Sequence, residues 1–205
     1  MIPPEPLKRE SLPKDTVALA KFLIGKLVVR EFLDGFASGR IVETEAYLTN
    51  DAASHSYRGP TPRNKVMFSA PGYAYIYLSY GVSYMLNVSG GEEGIGEGVL
   101  IRAAEPVSGI EIMRRLRGDV PIRDLMRGPG RLAKALSINL SQNGVDLCRK
   151  GPLWLVQGEK PVGEVGVSVR IGINRDAHRL LRFFERGSPF VSGPAFLNKS
   201  IASES

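Results

Sequence analysis

The stretch RIVETEAY, residues 40–47, puts Glu43, Glu45 and Tyr47 at every second position, on one face of a strand if its alternation is regular. Two carboxylates on one face repel, so one of them is expected to hold its proton more tightly. Such a group beside a phenol is a candidate general base, while a charged strand face open to solvent is the plainer alternative. Arg102 lies within the apolar run GVLIRAAEP, where a guanidinium needs a buried partner or a ligand, and Glu45 would serve as partner. Asn87 is a polar amide in a strand that otherwise reads apolar. Arg102 and Asn87 each read equally well as satisfied structural groups. His55, in a polar loop, reads first as a turn residue.

These groups need elements to hold them. Residues 73–89, YAYIYLSYGVSYMLNVS, carry five of the seven tyrosines. Tyr73, Tyr75 and Tyr77 alternate with Ala74, Ile76 and Leu78, which predicts a strand. Ser79-Tyr80-Gly81-Val82 breaks the pattern with a glycine suited to a positive-φ turn, and Ser83 to Val88 resumes as a second strand. The result is a hairpin with Tyr80 at its tip, where a ring buries little. Ordinary strand formers in a surface hairpin are the alternative.

Elsewhere, Asp15 is placed to cap a helix over TVALAKFLI, and KLVVREF and ASGRIVETEAYL read as strands joined at Asp34-Gly35. Residues 49–65 form a long polar loop. The glycine-rich GGEEGIGEG is an acidic connector expected to point away from a polyanion. Ser108 and Glu111 match a capping box for a helix bearing Arg114, Arg115 and Arg117. GPGRLAKALSI reads as a helix with Pro129 in its first turn, either an ordinary helix start or a phosphate-binding one. EVGVSVRIGI is the cleanest alternation, with Val165, Val167, Val169, Ile171 and Ile173 on one face. LRFFERGSPFVS reads as a late strand and turn.

The 205 residues suit one domain, and strands with tight hairpins beside separate helices give an α+β class. The net charge of +6, with 18 arginines, suits a polyanionic partner. Cys148 is the only cysteine, and His55 and His178 are far apart, which excludes a disulfide framework and the usual metal-ligand spacings. No apolar leader or spanning run is present, so an intracellular protein away from membranes is expected.

Six segments, RIVETEAY, ASHSYRGPTPRN, YIYLSYGVSYMLNVS, VLIRAAEP, RGPGRLAKAL and LRFFERGSPFVS, together resemble the alkyladenine (3-methyladenine) DNA glycosylase family. They come in that family's order and span roughly residues 15–192. The expected architecture is a single α+β domain over residues 1–205 with a mostly antiparallel curved sheet, surrounding helices and a protruding hairpin. Residues 1–13 are expected to be a loose lead-in and 193–205 a tail.

The resemblance implies a monofunctional enzyme that flips alkylated or deaminated purines from duplex DNA and hydrolyses the N-glycosidic bond. By it, Glu45 is the general base, Arg102 holds the attacking water, and the backbone near Ile171 is a further acceptor. Tyr80 is the intercalating wedge, Tyr47, His55 and Tyr77 form the base pocket, and Asn87 on its floor obstructs guanine. Glu43 is kept structural. Arg63, Asn64, Arg114, Arg115 and Arg117 are candidates for phosphate contact, with Val82 beside the wedge. Val82 stands where the family can carry a larger apolar residue, which leaves gap-filling to Tyr80. Differences around Ser54, Tyr57 and Arg58 bear on lesion preference. No lysine stands in these motifs as a Schiff-base nucleophile. No metal or organic cofactor is implied, the partner is damaged double-stranded DNA, and a monomer is expected. A non-catalytic binder with a tyrosine stacking platform, and a glycosidase using Glu43 and Glu45, are the competing readings.

Overall fold

Gly35–Tyr47 is the longest of the described strands and pairs with three of the others. The structure, a computed structural model, describes residues 5–158 and 163–199. Among these, eight strands form one antiparallel sheet: β1 (Leu27–Phe32), β2 (Gly35–Tyr47), β3 (Ala74–Ser79), β4 (Ser83–Ser89), β5 (Gly98–Ser108), β6 (Leu153–Val156), β7 (Val165–Ser168) and β8 (Arg182–Glu185). The order is β3-β4-β5-β2-β1-β6, with β8 pairing β2 and β7 pairing β8. The β2–β5 register shifts between Ile41 and Thr44, and such irregularities bend a strand and increase its twist. The sheet curls accordingly into a half-barrel, and the fold is α+β in one domain.

Helix α1 (Thr16–Leu23) starts at Asp15, whose carboxylate accepts from the Ala18 N–H at 2.6 Å. It buries Leu19, Ala20 and Leu23 against the sheet. Helix α3 (Pro129–Ala135) has proline at its start, where no N–H is needed, and buries Leu132, Ala133 and Ala135. One cluster, including Leu19, Leu23, Ile41, Leu86, Val88, Ile101 and Leu132, joins these helices to the sheet. Full burial of side chains of this kind stabilises by roughly 1.5–3 kcal/mol each. The β3–β4 hairpin forms as expected, with Tyr84, Leu86 and Val88 turned to that core and Tyr73, Tyr75 and Tyr77 to the other side.

Three local expectations fail. Helix α2 (Ile110–Arg117) begins at Gly109 and not at a capping box, because Ser108 stays in β5 and bonds the Ser38 hydroxyl at 2.7 Å. Gly109 has φ 70, and a Cβ there would lie 2.6 Å from Ala37 Cα. The 165–173 alternation gives only the short strand β7, and its buried side carries Gly166, Ser168 and Arg170 while the valines are half-exposed. The lead-in is packed: Leu7 and Leu12 are buried and the Leu7 N–H donates to Leu155. In the acidic connector, Glu97 accepts from Thr16 Oγ1 and the Thr49 N–H, while Glu92 and Glu93 are exposed. Residues 1–4 and 200–205 of the expected lead-in and tail lie outside the described residues.

Candidate active site

The end of β2 carries Glu43, Glu45 and Tyr47 beside β5 and β8. Both carboxylates are fully buried, which removes the solvent-face alternative. Glu43 accepts from Arg102 Nε at 3.0 Å, Arg182 Nε at 2.7 Å and the Ser192 N–H at 2.7 Å. Burial alone would push its proton affinity up, but Arg102 and Arg182 outweigh that and hold Glu43 below the usual carboxylate range. Repulsion between the two acids therefore does not set the behaviour of Glu43; the two guanidiniums do.

Glu45 is bound differently. Its Oε1 accepts from the Ile171 N–H at 2.7 Å and faces Arg102 Nη1 at 3.2 Å, and its Oε2 accepts from the Tyr47 hydroxyl at 2.9 Å. Ile171 thus contributes its N–H to the acid. Arg102 bridges both carboxylates; burial would lower its proton affinity, but Glu45 and Glu43 raise it above the ordinary value. Burial, with Glu45 adjacent, pushes the Tyr47 phenol up, so it remains a donor.

A cavity of about 610 Å³ opens in front of this cluster. Tyr47, Arg102 and Ile171, the three partners of Glu45, line it, and Glu45 lies directly behind them. An ionised carboxylate has about four lone-pair positions, so three partners leave one acceptor position on Glu45. The cavity's aromatic wall comes from the loop and the hairpin. His55 and Tyr77 meet with centroids 4.4 Å apart, and His55 Nδ1 bonds the Tyr75 hydroxyl at 2.9 Å. Desolvation, together with the Arg63 charge, lowers the proton affinity of His55, while burial raises the Tyr75 phenol to about 12. Asn87 is buried at the cavity, and its Nδ2 donates to the Tyr75 carbonyl at 3.1 Å, which fixes the amide's orientation.

The hairpin tip forms the rim. Tyr80 and Val82 are 93% and 82% exposed, and Tyr80 also lines the cavity. The turn places Tyr80 at φ 49 and Gly81 at φ 70, so a bulky side chain occupies backbone space that favours glycine or asparagine. Arg63 is exposed at the rim, 5.8 Å from the Tyr77 ring centroid.

Other expected contacts are placed elsewhere. Asn64 is buried: its Oδ1 accepts from Thr61 and its Nδ2 donates to the His55 and Gly59 carbonyls, so it has no amide proton left for a phosphate. Arg114 pairs with Glu111 and Arg115 with Asp34, while Arg117 bonds the Asp124 and Leu125 carbonyls. Arg117 also lines a second cavity of about 340 Å³ with Arg127, Arg131 and Lys134, which sequence reading missed. Met85 and Pro129 line both cavities, so the basic one adjoins the aromatic one at the hairpin. Sequence reading also missed Asp51, Arg170 and Arg182. Arg170 and Arg182 stand beside apolar residues as Arg102 does, and the same signal would have found them.

The chain is a hydrolase of N-glycosidic bonds: it belongs to the methylpurine-DNA glycosylase family, whose model matches residues 10–189. A Mesorhizobium japonicum protein is 63% identical over 95% of this chain and 93% of its own length. A Paraburkholderia phytofirmans protein is 51% identical over 94% and 91%, and one from Carboxydothermus hydrogenoformans 45% over 91% and 98%. All three are named, provisionally, as 3-methyladenine DNA glycosylases. No described helix is long and apolar enough to cross a membrane.

Proposed function

We propose that this protein flips alkylated or deaminated purines, of the 3-methyladenine, hypoxanthine and ethenoadenine type, out of duplex DNA. It then hydrolyses the N-glycosidic bond with a water activated by Glu45, leaving an abasic site. The observation that carries this reading is a buried Glu45 with one acceptor position left, set behind the wall of an aromatic cavity under an exposed tyrosine tip.

Extruding a nucleotide costs a few kcal/mol, and a side chain that fills the gap offsets part of it. Tyr80 is that wedge, supported by its exposure at the rim. In the cavity the base stacks among Tyr47, His55 and Tyr77, and electron-poor or cationic purines gain more from these rings than ordinary ones. A lesion also pairs less well and is easier to extrude. Asn87 blocks the exocyclic amine of guanine.

As the base departs, the sugar becomes oxocarbenium-like, and the Glu45 charge stabilises it. The water donates its proton to the open acceptor position of Glu45 while Arg102 orients it. Glu43 shares Arg102 and anchors it from the far side, so the guanidinium is not drawn wholly onto the base. The basic cavity of Arg117, Arg127, Arg131 and Lys134 receives the DNA backbone beside the hairpin, and the protein acts as a monomer. A stacking protein without chemistry has no use for a buried Glu45–Arg102 pair, which costs desolvation to maintain.

The test is a duplex with one hypoxanthine or ethenoadenine, incubated with protein and then treated with alkali. Strand breakage at the lesion only after alkali is the expected result. No breakage on any modified purine would leave a DNA-binding protein.

A further inference from the structure

Asp51 and Arg170 form an ion pair with no solvent exposure on either side chain. Arg170 Nη1 and Nη2 reach the two Asp51 oxygens, the second at 2.9 Å. Nη1 also donates to the Ala46 carbonyl at 3.1 Å and Nη2 to the Asp176 carbonyl at 3.4 Å. The guanidinium lies 4.6 Å from the Tyr47 ring centroid. Asp51 Oδ1 accepts from the Ala53 N–H at 3.0 Å, and Asp176 Oδ2 accepts from the Ala52 N–H at 2.8 Å.

Neither Asp51 nor Arg170 lines the aromatic cavity, yet each neighbours a wall of it. Tyr47 ends β2, Ala52, Ala53 and His55 come from the following loop, and Ile171–Arg175 form the segment after Arg170. Two segments distant in sequence, residues 46–55 and 170–176, thus meet behind the cavity at one bidentate pair. The residue next to Arg170, Ile171, donates its N–H to Glu45. A shift of Arg170 therefore moves a donor to the acid, the ring that bonds its other oxygen, and the turn that presents His55.

We propose that Asp51 and Arg170 are positioning residues that lock the Tyr47, His55 and Ile171 walls into the register in which Glu45 faces the bound nucleotide. The planar guanidinium fork suits this task, since a lysine ammonium cannot span both Asp51 oxygens and the Ala46 carbonyl together. Misplacement of reacting groups by about 1 Å costs on the order of 100-fold in rate. The proposal rests on the glycosylase reading.

The test compares Arg170→Lys and Asp51→Asn with wild type on a hypoxanthine duplex, by single-turnover excision at saturating protein and by affinity for an undamaged duplex. Melting temperature is recorded alongside. In both variants the saturated rate should fall about 10- to 100-fold, with affinity for undamaged DNA changed less than about twofold. Arg170→Lys, which keeps the charge, should lose rate although it remains folded. A saturated rate equal to wild type, with only melting temperature or general DNA affinity reduced, would overturn the proposal. Failure of both variants to fold would overturn it too, by making the pair a folding determinant. If wild type excises no modified purine, the glycosylase reading has failed; if wild type is active and the variants match it, only the positioning role has.

Discussion

Glu43 and Glu45 are two residues apart and differ by their partners. Glu43 is enclosed by Arg102, Arg182 and the Ser192 N–H, whereas Glu45 sits behind the cavity wall with a position open. The pattern E-T-E announced a pair of acids, but nothing in it showed which would be walled in, because Arg182 and Ser192 arrive from the far end of the chain. The distinction is measurable. Glu43 has its proton affinity lowered in the folded state, so its stabilisation is present above the unfolded carboxylate range and is lost as pH falls through the lower folded value. Glu43→Gln should lower unfolding free energy at pH 7 by about 3–5 kcal/mol, because it leaves buried guanidiniums without their partner. It should also flatten the acid side of the stability curve. Denaturant titrations from pH 3 to pH 7, a range on the order of the carboxylate values, check both.

At the scale of elements, the hairpin trades backbone ease for an exposed ring. Tyr80 occupies a turn position where asparagine is at home. Tyr80→Asn should therefore raise stability by a few tenths to about 1 kcal/mol while excision falls at least about tenfold, a stability–function opposition expected of strained functional sites. Chemical denaturation and a single-turnover assay on one preparation read both. This hairpin was legible in sequence because period-two alternation and a glycine are local signals. The 165–173 stretch misled for the opposite reason. Its unbroken alternation suggested one strand as far as Ile173, but only Val165–Ser168 is strand, and Arg170 and Ser168 find distant partners in Asp51 and Arg182 that draw the polar side inward. The capping box failed because β5 runs on to Ser108 and pairs with Ser38. Long-range pairing overrode local preference in both cases.

For the whole molecule, the surplus of +6 gains meaning from its placement. Arg117, Arg127, Arg131 and Lys134 converge beside the hairpin, next to the aromatic cavity. Each phosphate contact releases counterions, so affinity falls with salt, with a slope of about 0.9 per contact. Arg131→Ala and Lys134→Ala should each reduce the slope of log affinity against log salt by about that amount, equally on damaged and undamaged duplexes. Fluorescence anisotropy between about 50 and 200 mM salt measures it. The net charge predicted an anionic partner in general, and only the fold gathers these four basic side chains beside the aromatic cavity.

The central claim is that Glu45 readies the water that severs base from sugar. Single-turnover excision by Glu45→Gln at saturating protein, paired with its affinity for the same hypoxanthine duplex, tests it most directly. The amide preserves shape and removes the base, so the rate should fall about 100-fold or more while lesion affinity holds. A Glu45→Gln protein that excised hypoxanthine as fast as wild type would contradict the account.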